Sequence, residues 1–313
     1  LQSLLDNDPE GKILRWRNGN GSWRANRGSV LALMMHINMW LAFFDTGNAQ
    51  TYYSEVARLA EVDSWIDGTY YSLQSMEQMS NVFRGNSNEG LFEIVQNITM
   101  GEVFDTNNMW CTKVVYEVRN KTEADFAYSE AFLTHLYPEE TNDMRKEYWF
   151  KNLYREEGTG GSSSIRPVEI IKLLNADEYK STTIPNAGNY IVFRLADVIL
   201  LYAEALNNLG EREKALQEVN RIRQRAGAPD FTMEDDLDAS IYWERVRELM
   251  GEGQYYYDLV RTMKITDASF AVFSDDSGHR ETMANLKQGS WTWPIYKGAL
   301  DNNPYMSKNI YWE

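Results

Sequence analysis

The stretch FRLADVILLYAEALNNLGEREKALQEVNRIRQRAG, Phe193 to Gly227, restricts the fold more than any other part of the chain. Leu195, Val198, Ile199, Tyr202, Ala205, Leu206 and Leu209 recur at steps of three and four, which places them on one face of a helix. Gly210 follows, where a left-handed residue ends such a helix. Glu211, Arg212, Glu213 and Lys214 give a second helix a polar first turn. Ala215, Leu216, Val219 and Ile222 then rebuild an apolar face until Gly227 and Pro229 stop it. Two amphipathic helices therefore turn back on each other. Arg194, Asp197 and Glu204 stand beside this packed seam and predict buried or interhelical ion pairs, because a charge in a seam needs a partner.

The pair has a tetratricopeptide-like arrangement, with small Ala203 and Ala215 at the points of close approach and Leu206 filling the groove. A weaker copy runs from Gly28 to Leu59 as helix, Gly47, helix. Tyr52 stands there where a small residue belongs, which predicts looser or compensated packing. The two pairs lie far apart, so the pattern is one of discontinuous helix pairs with a long insertion. A third helical block, SIYWERVRELMGEGQYYYDLVRTMK, alternates charges so that Glu244 can meet Arg247, or Glu248 can meet Arg245. GEG interrupts it, and Tyr255, Tyr256 and Tyr257 in a row cannot all face one way.

Residues 63–186 change character. LFEIVQNIT and TKVVYEV are strand-like, whereas DTNNMW, EEGTGGSSS and STTIPNAGN are polar and turn-rich, so a loop-heavy region with a hairpin is expected. GTGGSSS, Gly158 to Ser164, has the composition of a flexible loop. It lacks the spacing of a phosphate-binding loop.

Composition narrows the function. With 313 residues at 43% hydrophobic content the chain can bury a core in one large domain or two ordinary ones. Its 31 basic and 46 acidic residues give a net charge of -15, which repels nucleic acid and anionic membrane surfaces. A single cysteine, Cys111, excludes a disulfide framework and a cysteine zinc site. His36, His135 and His279 form no local metal pair, and there is no GxSxG elbow. Adjacent acids such as Glu139–Glu140 and Asp275–Asp276 read as solvated surface. No cofactor, no metal and no catalytic set are expected. Aromatic residues reach 13%, many beside Gly, Asn and Asp, and packing over helix ends is the ordinary use of such rings. No run approaches the roughly 20 apolar residues of a membrane-spanning helix. The chain opens at Leu1 without the features of a signal peptide, so a processed chain or fragment is expected.

Four segments, in order, resemble the SusD/RagB family of surface-exposed nutrient-binding lipoproteins of Bacteroidetes: RANRGSVLALMMHINMWLA, FRLADVILLYAEALNNLG, ERVRELMGEGQYYYDLVR and WPIYKGALDNNPYMSKN. Tyr255, Tyr296 and Lys308 depart from the family's usual Arg, Pro and Gln. The resemblance implies a mainly α, SusD-like fold with tetratricopeptide-like helix pairs and a loop-rich ligand side carrying minor β-hairpins. It implies a single domain over 1–313, with a first helix pair at 24–62, a ligand-bearing insertion at 63–186, and a second pair with the carboxy-terminal block at 187–313. Family members are longer, with an amino-terminal part that begins at a lipidated Cys, so this chain is expected to be their carboxy-terminal portion and to meet the outer membrane only through that anchor. The implied function is non-enzymatic capture of oligosaccharides at the cell surface for a SusC-like TonB-dependent β-barrel transporter. A peptide or other nutrient is the alternative ligand, and a surface glycan-processing enzyme the alternative class. Aromatic faces stack on sugar rings and amides satisfy hydroxyls. Trp110, Asn107 and Asn108 are accordingly the first candidate ligand contacts, with Trp149 and Tyr154 next.

Overall fold

The computed structural model of the chain describes residues 1–9, 11–16, 23–96, 128–154, 168–173, 188–271 and 281–313. They are mainly helical, as the repeating steps of three and four require, and fall into two units, Leu1–Gly253 and Gln254–Glu313. In the first unit the described elements are α1 (Gln2–Asp6), α2 (Arg27–Phe44), α3 (Ala49–Glu61), α4 (Met79–Arg84), β1 (Gly90–Ile94), α5 (Glu130–Leu136), α6 (Arg145–Trp149), β2 (Phe150–Lys151), β3 (Glu169–Ile170), β4 (Tyr190–Arg194), α7 (Leu195–Asn208), α8 (Arg212–Arg225) and α9 (Leu237–Glu248).

Helix α2 starts where its sequence provides a cap. The Asn26 side chain accepts from the Ser29 amide and the Ser29 hydroxyl accepts from the Asn26 amide, both at 2.9 Å, so two otherwise orphaned donors are satisfied. By length and composition α2 could cross a membrane, but 56% of it is buried within the protein, where it packs on α3 and α7 as a core helix. Tyr52 of α3 is accommodated by leaning toward the turn, its hydroxyl donating to Asp45 Oδ2 at 3.0 Å. Val56, Leu59 and Ala60 hold the seam in its place.

Helices α7 and α8 form the expected pair, and Gly210 makes the turn at φ +84°. One expectation changes. Every residue from Leu195 to Leu206 is buried, so α7 is enclosed rather than amphipathic, because α3, α8 and α9 all pack on it. Its apolar side chains join Leu31, Met35, Leu59, Val219 and Ile222 in one apolar core, in which each leucine, isoleucine, valine or methionine is worth about 1.5–3 kcal/mol relative to exposure.

The strands close over long stretches of chain, not through tight turns. β1 pairs antiparallel with β4, with Phe92 opposite Phe193 and Glu93 opposite Ile191, and β2 pairs antiparallel with β3. Tyr190 to Arg194 therefore leads into α7 as a strand, and Arg194 is the extended residue that precedes the helix.

Beside the apolar core lies a buried network of charges. Arg194 binds Glu89 and Glu248 through one terminal nitrogen, at 2.7 and 2.8 Å, and Glu252 through Nε at 2.7 Å. Arg145 binds Asp143 and Glu244 at 2.7 Å and Glu248 at 3.3 Å. Arg223 meets Glu244 at 2.8 Å, and Arg225 meets Glu248. Lys172 donates to the Glu248 and Met250 carbonyls at 2.7 and 2.8 Å and pairs with Glu252. Arg194 and Asp197 are thus both ion-paired and buried, as the seam argument requires, with Asp197 bound by Arg245 at 3.0 Å. Of the two pairs read from α9, Glu244–Arg247 forms at 3.4 Å. Arg245 instead turns to Asp197 and Glu248 to Arg194, Arg145 and Arg225, because α9 lies inside the protein and its charges find partners on other elements. Burial pushes the Glu248 carboxyl up, but the cations around it outweigh burial and hold it well below the usual carboxylate range.

The second unit holds α10 (Tyr255–Arg261), α11 (Met283–Gln288) and α12 (Lys297–Asp301). In α10, Tyr255 is half-buried while Tyr256 and Tyr257 are exposed, so the three rings do diverge. Asp258 and Arg261 form a buried pair at 2.7 Å one turn apart.

Candidate functional site

Among the described residues a cavity of about 580 Å³ opens at the end of the β1–β4 ladder, lined by Trp23, Phe92, Glu93, Ile94, Val95 and Asn189. Its wall is mostly apolar because Phe92 and Ile94, two apart on β1, share one face of the strand. Trp23, 46% exposed, adds an indole. β1 is tied to α2 by the same cap residue that starts the helix, since Asn26 Nδ2 donates to the Leu91 carbonyl at 2.9 Å.

The polar part is one carboxylate and one amide. Glu93 is buried, and its Oε2 accepts from the Asn86 amide at 2.7 Å and from Asn189 Nδ2 at 2.8 Å. Two glycines make room for this pair. A Cβ at Gly85, where φ is +99°, would lie 2.1 Å from Asn189 Nδ2, and one at Gly90 would lie 2.1 Å from Glu93 Oε1. Glu93 thereby fixes Asn189 at the mouth of an apolar groove, an arrangement suited to a ligand with one flat apolar face and a few hydroxyls. A glycosidase needs two carboxyl groups facing each other across its cleft; the described lining has Glu93 alone.

A histidine–carboxylate pair is formed by residues other than those that line the groove. His36 Nε2 is 2.6 Å from Asp197 Oδ2, and the His36 ring stands 5.0 Å from Phe193. Burial raises the Asp197 carboxyl, yet His36 and Arg245 outweigh it and hold the group well below the usual carboxylate range. With both oxygens engaged, Asp197 serves the packing of α7 on α2 and α9. No group of three or more His, Cys, Asp or Glu side chains suited to a metal occurs among the described residues.

Trp110, Asn107 and Asn108 lie outside the described residues, as do TKVVYEV and GTGGSSS. Trp149 is 1% exposed, with Lys172 Nζ 4.3 Å and Arg145 5.7 Å from its ring centroid. A ring so enclosed has no face to offer a ligand, and Trp149 is a framework residue here. Tyr154 is half-buried; its hydroxyl donates to the Tyr137 carbonyl at 2.7 Å and Lys146 lies 5.5 Å over its ring. Burial, with Glu139 and Asp143 nearby, pushes that hydroxyl up to about 12. Neither residue lines the groove. Trp23, Phe92, Glu93 and Asn189 were not singled out by the sequence. The signal available was Glu93 itself, an acid inside the apolar run LFEIV, where a buried charge demands a partner.

The model of the SusD family matches residues 39–312. The chain belongs to the SusD family. SusD-like protein P38 of Formosa agariphila is 35% identical over 133 residues, 39% of this chain and 24% of that protein. SusD-like protein P25 of the same organism is 42% identical over 96 residues, 29% of this chain and 18% of that protein. A SusD homologue from Bacteroides thetaiotaomicron, solved by crystallography, superimposes with a TM-score of 0.86 at 43% identity, over 100% of this chain and 66% of that one. The chain therefore spans just under two thirds of that relative's length. Surface glycan-binding protein A from Bacteroides thetaiotaomicron shares the fold, with a TM-score of 0.68 at 17% identity over 98% of this chain and 68% of that protein. The mainly helical SusD-like fold with minor antiparallel strand pairs is thus established.

Proposed function

We propose that this protein captures oligosaccharides at the cell surface without cleaving them and delivers them to a SusC-like TonB-dependent transporter of the outer membrane, to which a lipid anchor holds the whole protein. The observation that carries the reading is the groove, in which an exposed indole and an apolar strand face stand beside an amide fixed by Glu93. Membership of the SusD family supports it, and so do two structural relatives from Bacteroides species described as surface glycan-binding protein A. We add Asn107, Asn108 and Trp110, which follow β1 in sequence, to the proposed ligand contacts, with Tyr154 as a further candidate outside the groove lining.

Titration with a panel of oligosaccharides, followed by tryptophan fluorescence and calorimetry, tests the reading. Saturable binding with the sugar recovered intact is expected. Trp110→Ala should weaken binding about tenfold with the fold unchanged, the loss of one stacked ring. Shortened products in the recovered sugar would replace capture by glycan processing, and binding of peptides alone would change the ligand class.

A further inference from the structure

Every exposed residue of α2 is apolar. Leu33 is 38%, Ile37 42%, Leu41 38% and Phe44 61% exposed, and their spacing of four, four and three puts them on one stripe of the helix. From Gly28 to Phe44 the sequence holds no Asp, Glu, Lys or Arg. The helices stacked with α2 differ. The exposed residues of α3 are Gln50, Thr51, Ser54, Arg58 and Glu61, and those of α8 are Glu213, Lys214, Gln217 and Gln224, all of them polar. All three helices bury their other face in the same core, so an apolar outward face is particular to α2 and is not a general need of the fold. A helix that is apolar on every side is stable when it is covered on every side. Around α7 the cover is complete. On α2, by contrast, α3, α7 and β1 pack against the inner faces and leave Leu33, Ile37 and Leu41 in water, while Phe44, which packs on Trp40 and Phe43, continues the stripe to the end of the helix.

We propose that this stripe is an internal docking face, covered in the whole protein by the apolar side of a helix from the segment that precedes Leu1. Two observations choose that occupant. The crystallised Bacteroides thetaiotaomicron relative, 43% identical, matches all of this chain with 66% of its own length, so a homologous protein carries a large further part that must pack somewhere. The second is the stacking of the helix pairs. A stack of such pairs buries its seams only where another pair lies against it, and the pair that ends the stack carries a polar outer face. α8 fits the end of a stack and α2 does not. The lack of charge along the stripe also suits a permanent contact, since obligate interfaces are more apolar than those that open and close.

The test uses the whole protein. Ile37→Cys and, as a control on a polar helix face, Gln217→Cys are labelled with a maleimide, and the modified positions are read by peptide mass spectrometry. The thiol at position 37 should react about tenfold or more slowly than the one at position 217, because labelling there must wait for local opening. Ile37→Glu with Leu41→Glu should release the amino-terminal part, so limited proteolysis should remove it about tenfold or more faster than from the unaltered protein while residues 188–253 stay protected. Equal labelling rates at the two positions would overturn the proposal by showing the stripe in water. Slow labelling that becomes fast on dilution, with a change from dimer to monomer, would assign the face to a second copy of the chain and overturn it as well. So would an amino-terminal part that is cleaved no faster from the double glutamate variant. The labelling comparison decides by itself should that variant fail to fold.

Discussion

Arg145, Arg194, Glu244 and Glu248 of the first unit are almost wholly withdrawn from water, whereas Trp293, Tyr296 and Tyr305 of the second stand almost wholly in it. Transfer energies alone favour the reverse. In the first unit Arg145, Arg194, Glu244 and Glu248 are each answered by several charges of opposite sign, so their desolvation cost is offset only while that set is present. In the second, the backbone beside Trp293 and Tyr305 is held by bonds from Thr292, Trp312 and Asn303, while the rings themselves stand in water. Buried charge makes one region all-or-none; exposed rings leave the other free to change one residue at a time.

The largest expected effect tests that distinction at its centre. Glu248→Ala should cost about 3–5 kcal/mol in urea unfolding, because Arg194, Arg145 and Arg225 then face one another without the carboxylate between them. A loss below about 1 kcal/mol, the size of an exposed pair, would break the contrast. Acid should act in the same direction. The Glu248 and Asp197 carboxyls are held below their ordinary values of 4.5 and 3.8, so their stabilisation is complete above that range. It disappears as pH falls through the lower folded-state values, and unfolding midpoints measured from pH 6 downward should decline there.

A smaller rise of stability with pH is expected in alkali. Burial, opposed by Glu252, brings the Lys172 ammonium down from 10.5 to about 8. Between those values the unfolded chain holds a proton that the native chain has released, so this group makes stability rise with pH. Comparison of the intact protein with Lys172→Met from pH 8 to 10.5 isolates the rise; identical slopes would remove Lys172 from the account. The smallest effect belongs to the second unit. Trp293→Ala with Tyr305→Ala should change unfolding free energy by no more than about 0.5 kcal/mol per site. A larger loss would show these rings to be part of a core.

The helix pair of α7 and α8 was legible because its apolar steps, its glycine stop and its polar restart are all local. So was the need for partners at Arg194 and Asp197. Which partners they find was not, since Glu89 and Glu252 lie in turns far along the chain and no spacing links them to Arg194. β4 was hidden for a related reason: Ile191, Val192 and Phe193 read equally well as a strand or as the first turn of the apolar helix that follows. Trp149 shows the limit for rings. An aromatic side chain in a polar segment looks the same in sequence whether it ends beside Lys172 and Arg145, as here, or beside a ligand. The groove was illegible for want of any local pattern joining Trp23, Glu93 and Asn189, which the β1–β4 pairing and the bond from Asn26 to Leu91 bring together.

The positions of the network along the chain have an evolutionary consequence. Glu89 stands before residues 97–127, Asp143 and Arg145 stand between that stretch and 155–167, Lys172 precedes 174–187, and Arg194 follows it. Each of these stretches is therefore rooted on both sides in the same ionic knot. Lengthening a flexible connection whose two ends are tied costs only about 0.6 kcal/mol for each doubling. Insertions within those intervals of the sequence are therefore expected to leave the ionic knot, and the frame it ties together, unchanged.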